Sequence, residues 1–293
     1  MLKYKADLKT LLFLSLTTAM LFFQWNFGFH IITYIISLYL AVTIAVIAHN
    51  HNHVPMWKSK LLNHITDYWI TLFYGFPIFA WTPTHNKNHH KFNNRDGDFT
   101  ITYRVSEKNN IFTLLSYPTI SSYFQQNPIV VYLKFLWNNK RKKFFLSIFQ
   151  YVALGLFIIV ALLIDWQKAL LYVIIPQQFA LFSVLIFNYI QHVHADEESD
   201  YNHSRNFVSP TTNFMLFNNG FHTIHHFRAS IHWSETPEAH KSIDHLIAPH
   251  LKERGFWPYI IKAYIIAPFN KTFRTKSMRL ERILKEEKKS AHV

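Results

Sequence analysis

Four long, predominantly apolar stretches of this chain carry no charged residue: residues 11–29, 31–48, 144–164 and 169–190. At a rise of about 1.5 Å per helical residue, 18 residues reach about 27 Å and 22 reach about 33 Å, which brackets the hydrocarbon core of a bilayer. A buried soluble helix rarely runs so long without a charge, so the stretches read as four membrane spans. The first is interrupted by Gln24, Trp25 and Asn26. It follows Lys3, Lys5 and Lys9, an arrangement shared with signal peptides, but no small-residue cleavage site comes after it.

The spans pair as two hairpins, one joined by a short uncharged turn and the other by residues 165–168. That second turn holds a single Lys, and the other 29 of the 30 Lys and Arg lie on the opposite side of a four-span arrangement. Such a bias places both termini and the long middle segment in the cytoplasm. The net charge of +13 then expresses topology and contact with anionic lipid rather than a nucleic-acid groove, for which no motif or folded basic module exists. The absence of cysteine excludes disulfide scaffolds, zinc ribbons, iron–sulfur clusters and thiol catalysis. Six glycines without a phosphate-cradling pattern argue against a nucleotide-binding α/β fold. The expected fold is an all-α membrane protein. It is a single membrane-embedded domain over residues 1–293, with four transmembrane helices in two hairpins and a cytoplasmic helical cap over residues 49–143 and 191–293.

Within the cap, residues 65–81 are apolar and aromatic but contain Asp67, Gly75 and Pro77, and either dip into the membrane or lie along it. Residues 111–137 carry Pro118 and Pro128 and read as broken in-plane helices. From Lys271 onward, Lys, Arg and Glu alternate around Met278, Leu280, Ile283 and Leu284, as in an amphipathic surface helix or a solvated tail.

The chemistry lies in the 19 histidines. The second span runs straight into His49-Asn50-His51-Asn52-His53, where His49 and His53 share a helical face and His51 points elsewhere. A second group, His85-Asn86-Lys87-Asn88-His89-His90, follows the apolar segment that ends at Trp81. Beyond the fourth span come His192 and His194, with Asn188 one helical turn before His192. The last group is His222-Thr223-Ile224-His225-His226, again one helical face. A lone histidine is most often structural, but nine at metal-ligand spacing on one side of a membrane point to a polynuclear metal site. Imidazole suits zinc, copper, iron and nickel alike. Nine ligands exceed the four of zinc or the six of an octahedral ion, so two metals are implied. The Glu-rich ligand set of soluble di-iron bundles is not the pattern seen here.

In the order, spacing and membrane placement of His49-x-x-x-His53, His85-x-x-x-His89-His90, Asn188-Tyr189-Ile190-Gln191-His192 and Asn219-Gly220-Phe221-His222-Thr223-Ile224-His225-His226, the chain resembles the membrane fatty acid desaturase superfamily. That superfamily includes acyl desaturases, alkane and acyl-chain hydroxylases and carotenoid oxygenases. The resemblance implies a non-haem centre of two iron ions (Fe2+/Fe3+), dioxygen as oxidant and external electrons. It implies His49, His53, His85, His89, His90, His192, His222, His225 and His226 as ligands, and Asn188 as a contact through water. Asp96-Gly97-Asp98 resembles an acidic pair that follows the second box; its two carboxylates either orient ligand imidazoles or sit in a solvated turn. Trp233 and Pro237 resemble the stretch after the last box and are expected to pack the cap. His51, His194, His203 and His232 match no ligand position, and Arg205 and Arg228 read as surface cations or head-group anchors.

The His-Pro-Gly-Gly signature of a fused cytochrome is missing, so electrons are expected from a separate ferredoxin- or cytochrome-type donor. The box spacings occur in desaturases and hydroxylases alike. A fatty acyl desaturase is the first expectation, on the likeness around Asn219-Gly220 and the second half of the chain, and an acyl-chain or alkane hydroxylase the second. The abundant Phe, Tyr and Trp suit either an apolar tunnel for the acyl chain or the aromatic belts of a membrane protein. A metal transporter would need ligands deep within spans, and a two-metal zinc hydrolase would reveal itself by its metal.

Overall fold

The computed structural model describes residues 1–291. Four helices are long and apolar enough to cross a membrane: α1 (Asp7–Phe27), α2 (Ile31–His53), α5 (Arg141–Ile164) and α6 (Trp166–His192). Helices α2, α5 and α6 each contain one of the expected spans whole, whereas α1 starts earlier than the expected 11–29 and stops at Phe27, short of Gly28 and Phe29. Two further long helices are α3 (Lys60–Tyr74) and α4 (Ile111–Asn139). The chain folds into two compact units, each made from two separate stretches. One comprises residues 1–86 and 126–184, the other residues 87–125 and 185–293.

In the first unit α1 packs on α2, and α3 packs on both α2 and α5. The C-terminal half of α2 is its spine: Ile44, Ala45, Val46, Ile47 and Ala48 are all buried, as is Leu14 of α1. Outward-facing Leu12, Leu16 and Phe22 of α1 and Val152, Leu156, Ile159 and Leu163 of α5 are exposed. A row of large apolar side chains on a helix this long needs lipid as its solvent. Several hydroxyls in the spans are satisfied locally, as where Thr17 donates to the carbonyl of Phe13 and Thr18 to that of Leu14, which a hydrocarbon environment favours. The apolar segment read at residues 65–81 begins inside a regular helix, α3, that starts earlier, at Lys60. Ser59 caps α3 by accepting from the amide of Leu62, and Gly75, at φ 79°, ends it in the left-handed conformation that favours glycine. A Cβ at Gly75 would also press on Gln177 of α6.

Residues 111–137 also differ from expectation. They belong to α4, one unbroken helix of 29 residues through both Pro118 and Pro128. Each proline removes one donor from the ladder, and the bonds above and below it carry the helix on.

The second unit combines the first half of α4 and the end of α6 with short helices and loops, and in it Ile224 packs with Ala195, Ile243, Ile247 and Leu251. Its one two-stranded sheet among the described residues is parallel, with β1 (Asn206–Phe207) beside β2 (Lys252–Glu253). Helix α7 (His222–Phe227) carries the last histidine group. The tail forms helix α8 (Met278–Ser290), capped by Ser277, whose hydroxyl accepts from the amide of Leu280. This tail is neither free nor solvated throughout. Met278 joins the Ile224 cluster, and Arg282 bonds to Asp196 and Glu197 at 2.8 Å each.

Candidate metal centre

In the second unit, His89, His192, His222 and His226 offer one ligand atom each, all within 4.8 Å of one another. Three separate parts of the chain contribute. His89 ends a wide π-helical segment (Thr82–His89), His192 is the last residue of α6, and His222 and His226 stand one turn apart on α7. The Nε2 atoms of His192 and His222 are 2.9 Å apart, and those of His222 and His226 are 3.1 Å apart. His89, His192 and His222 are buried, and His226 is half-buried.

The outward nitrogens explain why the inward ones carry lone pairs. Nδ1 of His89 donates to Asp98 at 2.8 Å, and Nδ1 of His192 donates to the carbonyl of His203 at 3.1 Å. A proton held on Nδ1 leaves Nε2 as an acceptor, the tautomer a metal needs. Burial and the neighbouring imidazoles of His90, His222, His89 and His192 hold His226 well below the usual imidazole range, so it too is neutral. Four imidazoles, three buried and one half-buried, pointing nitrogen at nitrogen make no sense as a hydrogen-bond network, because lone pairs then oppose one another. They fit as a donor set for a borderline transition metal.

Asp98 is the anchor of this cluster. It accepts from the amides of Asn94 and Thr100 at 2.7 Å each and from the Thr100 hydroxyl at 2.7 Å, besides His89. Burial alone would raise its pKa, but His89 and these donors outweigh burial and hold the carboxyl below the usual carboxylate range. The turn that delivers it is unusual backbone: Asn93, Asn94 and Gly97 all have positive φ. At Gly97, with φ 96°, a Cβ would meet the Phe92 ring at 2.8 Å, so glycine is required there. Of the acidic pair, Asp98 is thus the residue that touches a histidine, while Asp96 is exposed on the same turn.

Asn188 donates from Nδ2 to the Tyr117 hydroxyl at 2.5 Å. Tyr117 in turn donates to the carbonyl of Thr100 at 2.7 Å, so α6 is tied through Tyr117 to the turn that holds Asp98 and His89. The sequence offered no signal for Tyr117 or Thr100, because one lies in an aromatic helix and the other in a polar loop.

Around the last box, Gly220 permits a close approach. Its carbonyl accepts from the amide of Phe207 at 2.9 Å, its amide donates to Asn213 at 3.1 Å, and a Cβ there would collide with the Phe207 carbonyl. Arg205 is not the surface cation expected of it. It is 1 % exposed, bonds through Nη1 to the carbonyls of Ile190 and Val193 and lies 4.5 Å from the Tyr259 ring centroid. It caps the C-terminal end of α6, where a cation is favoured, next to His192.

His90 and His225 form a further pair in this unit, with Nε2 atoms 3.0 Å apart. In the first unit, His49, His53 and His85 gather with ring centroids 4.7–5.1 Å apart beside Trp81. His49 and His53 share a face of α2, as the spacing predicts. His51 turns away, with Nε2 3.4 Å from Asp67. His194 lies between the Glu107 carbonyl and Thr275, and His232 accepts from the Ser234 amide. Trp233 stacks edge-on to Phe217. His203 lies beside the four-histidine cluster, its ring centroid 5.4 Å from that of His226, although its position in the sequence did not mark it.

Four apolar helices and tight groups of imidazoles define a multi-pass membrane protein equipped to bind metal. The family model for fatty acid desaturases matches residues 16–257, and the chain belongs to that family. Membership makes it an oxidoreductase of the desaturase and hydroxylase kind. Comparison with curated proteins and with solved structures gave no significant match.

Proposed function

We propose that this protein is a di-iron oxidoreductase that desaturates a fatty acyl chain, with dioxygen as oxidant and electrons from a separate ferredoxin- or cytochrome-type donor. The observation that carries the reading is the cluster of His89, His192, His222 and His226 in a chain of the desaturase family. The ligands of the two irons are His49, His53, His85, His89, His90, His192, His222, His225 and His226, with Asn188 contributing through water. When bound, the irons supply dioxygen activation and the removal of hydrogen from an unactivated methylene.

The chain's own residues prepare the site for that work. Asp98 fixes the tautomer of His89, the His203 carbonyl fixes that of His192, and Arg205 holds the helix end on which His192 sits. Positioning of this kind is what catalysis by an oriented centre depends on, since small displacements cost large factors in rate. The Lys and Arg distribution supports a topology of two hairpins with both termini in the cytoplasm. His49 and His53 lie in the last turns of α2 and His192 at the last residue of α6. Ligands at helix ends rather than mid-span speak against a transport pathway.

Mass spectrometry of lipids from cells making the protein tests the reading. Desaturation appears as acyl chains lighter by two hydrogens. A gain of one oxygen would assign the hydroxylase reaction to the same site. Unchanged lipids in the presence of iron-loaded protein would contradict both.

A further inference from the structure

Beside the four-histidine cluster, the second unit contains a polar cavity of about 200 Å³. His90 and His226 form part of its wall; Asn93, Glu197 and His203 form another part. The exposed Glu198 and Asp200 stand at its rim, with Arg95 3.6 Å from Glu198. Two acceptor atoms of wall residues, Oδ1 of Asn93 and Oε2 of Glu197, have no hydrogen-bond partner in the protein, and neither does one ring nitrogen, Nδ1 of His203. These residues are only 8 %, 5 % and 4 % exposed. Buried acceptors without protein donors are satisfied by water when the space is polar and large enough, and this cavity is both.

We propose that this cavity is a hydrated inlet and that Glu197 passes protons through it to the histidine site. The inference rests on the oxidoreductase reading. Desaturation joins one dioxygen, two electrons from a one-electron donor protein and two protons with two hydrogens from the acyl chain. It yields an alkene and two waters. Hydroxylation uses the same dioxygen, electrons and protons and yields an alcohol and one water. Either reaction draws two protons per turnover from outside the site and releases water, while the acyl chain itself demands an apolar approach. A polar route separate from the substrate path meets both needs.

Glu197 suits the role because its two oxygens have different tasks. Oε1 is held by Arg282 at 2.8 Å and Arg279 at 3.1 Å, so the side chain is fixed to α8, while Oε2 is left without a protein partner. The charged and titratable groups around it are these two arginines, Asp196 on its own loop, and Tyr103, with Glu107 drawing on Arg279 and Glu286 on Arg282. Burial pushes the carboxyl up, against the pull of the arginines, which moves it toward the range where a proton is both taken up and released.

The test uses full-length, iron-loaded protein as wild type, Glu197→Gln and Glu197→Asp. Hydroxyl-radical footprinting is expected to oxidise His203 and Phe227 in the wild type, and infrared difference spectra between H2O and D2O to show an exchangeable carboxyl band that Glu197→Gln lacks. Glu197→Gln should retain its iron yet lose product formation by roughly 10- to 100-fold, the scale of a lost proton-transfer group, with partial recovery in Glu197→Asp. Wild-type rates in Glu197→Gln, loss of iron from that variant, an unlabelled His203 or an absent carboxyl band would each overturn the proposal. If the wild type shows the band and the labelling but forms neither alkene nor alcohol, the oxidoreductase reading fails and the role in proton delivery falls with it. The hydrated cavity itself would stand.

Discussion

The carboxylate of Asp98 lies 2.8 Å from Nδ1 of His89, and both side chains are shut away from solvent. Neither group would be stable there alone: a buried carboxylate needs donors, and a buried imidazole needs its proton placed. Together they present a fixed lone pair to the other three histidines of the cluster.

Replacing Asp98 by Asn keeps the shape but removes the charge that holds the proton on Nδ1. Iron affinity is expected to fall about 10- to 100-fold, the usual cost of losing a partner of a metal-bound histidine. Metal analysis of the purified variant during titration with a chelator checks this. Unchanged retention would remove Asp98 from the account.

Arg205 gives a second expectation. Arg205→Met leaves the carbonyls of Ile190 and Val193 without their donor, a cost of about 1–3 kcal/mol for a buried unsatisfied group. Thermal unfolding should show the loss, and iron should leave the variant more readily because His192 sits on the same helix end. Arg205→Lys should recover part of both, since it restores the charge but not the planar fork.

The positions of Asp98 and Arg205 show how far the sequence could be read. The histidine groups were legible because box spacing is local: i and i+4 on a helix such as α2 or α7 fix a shared face without any knowledge of the fold. Burial of a lone arginine was not, since Arg205 stands in a polar stretch, Ser204-Arg205-Asn206, that reads as surface until the helix end it caps is in place. The Asn188–Tyr117–Thr100 chain joins residues 71 and 17 positions apart, and nothing local marks such pairs. Pro118 and Pro128 misled in the opposite direction. Their local rule predicts a break, but α4 has enough other rungs to continue through both.

Gly220 is expected to tolerate no side chain. In Gly220→Ala, the new Cβ would press on the Phe207 carbonyl and on Asn213 Oδ1, so backbone two residues before His222 must move. A loss of about 1–3 kcal/mol in unfolding free energy is expected for overpacking of this kind, accompanied by weaker iron binding. A variant with wild-type unfolding temperature and iron content would show that the contact is not needed.

His240 makes stability depend on pH. Burial holds its pKa below 6.5, the ordinary imidazole value, against the opposing influence of Asp244. The unfolded chain therefore takes up a proton at a pH where the folded one does not, so stability is full above 6.5 and declines as pH falls from 6.5 toward the lowered folded value. Thermal unfolding of the detergent-solubilised protein between about pH 8 and pH 5 should show this decline, and His240→Gln should flatten it. An equal slope in the variant would place the dependence elsewhere.

The most direct test of the central claim is the metal content of the purified protein, compared between the wild type and alanine substitutions of His192 and His222. The account predicts two irons per chain in the wild type and loss of at least one in each variant, with X-ray absorption showing nitrogen-rich ligation. Protein that carries no iron under iron-replete expression, or iron whose amount and ligation survive both substitutions, would contradict it.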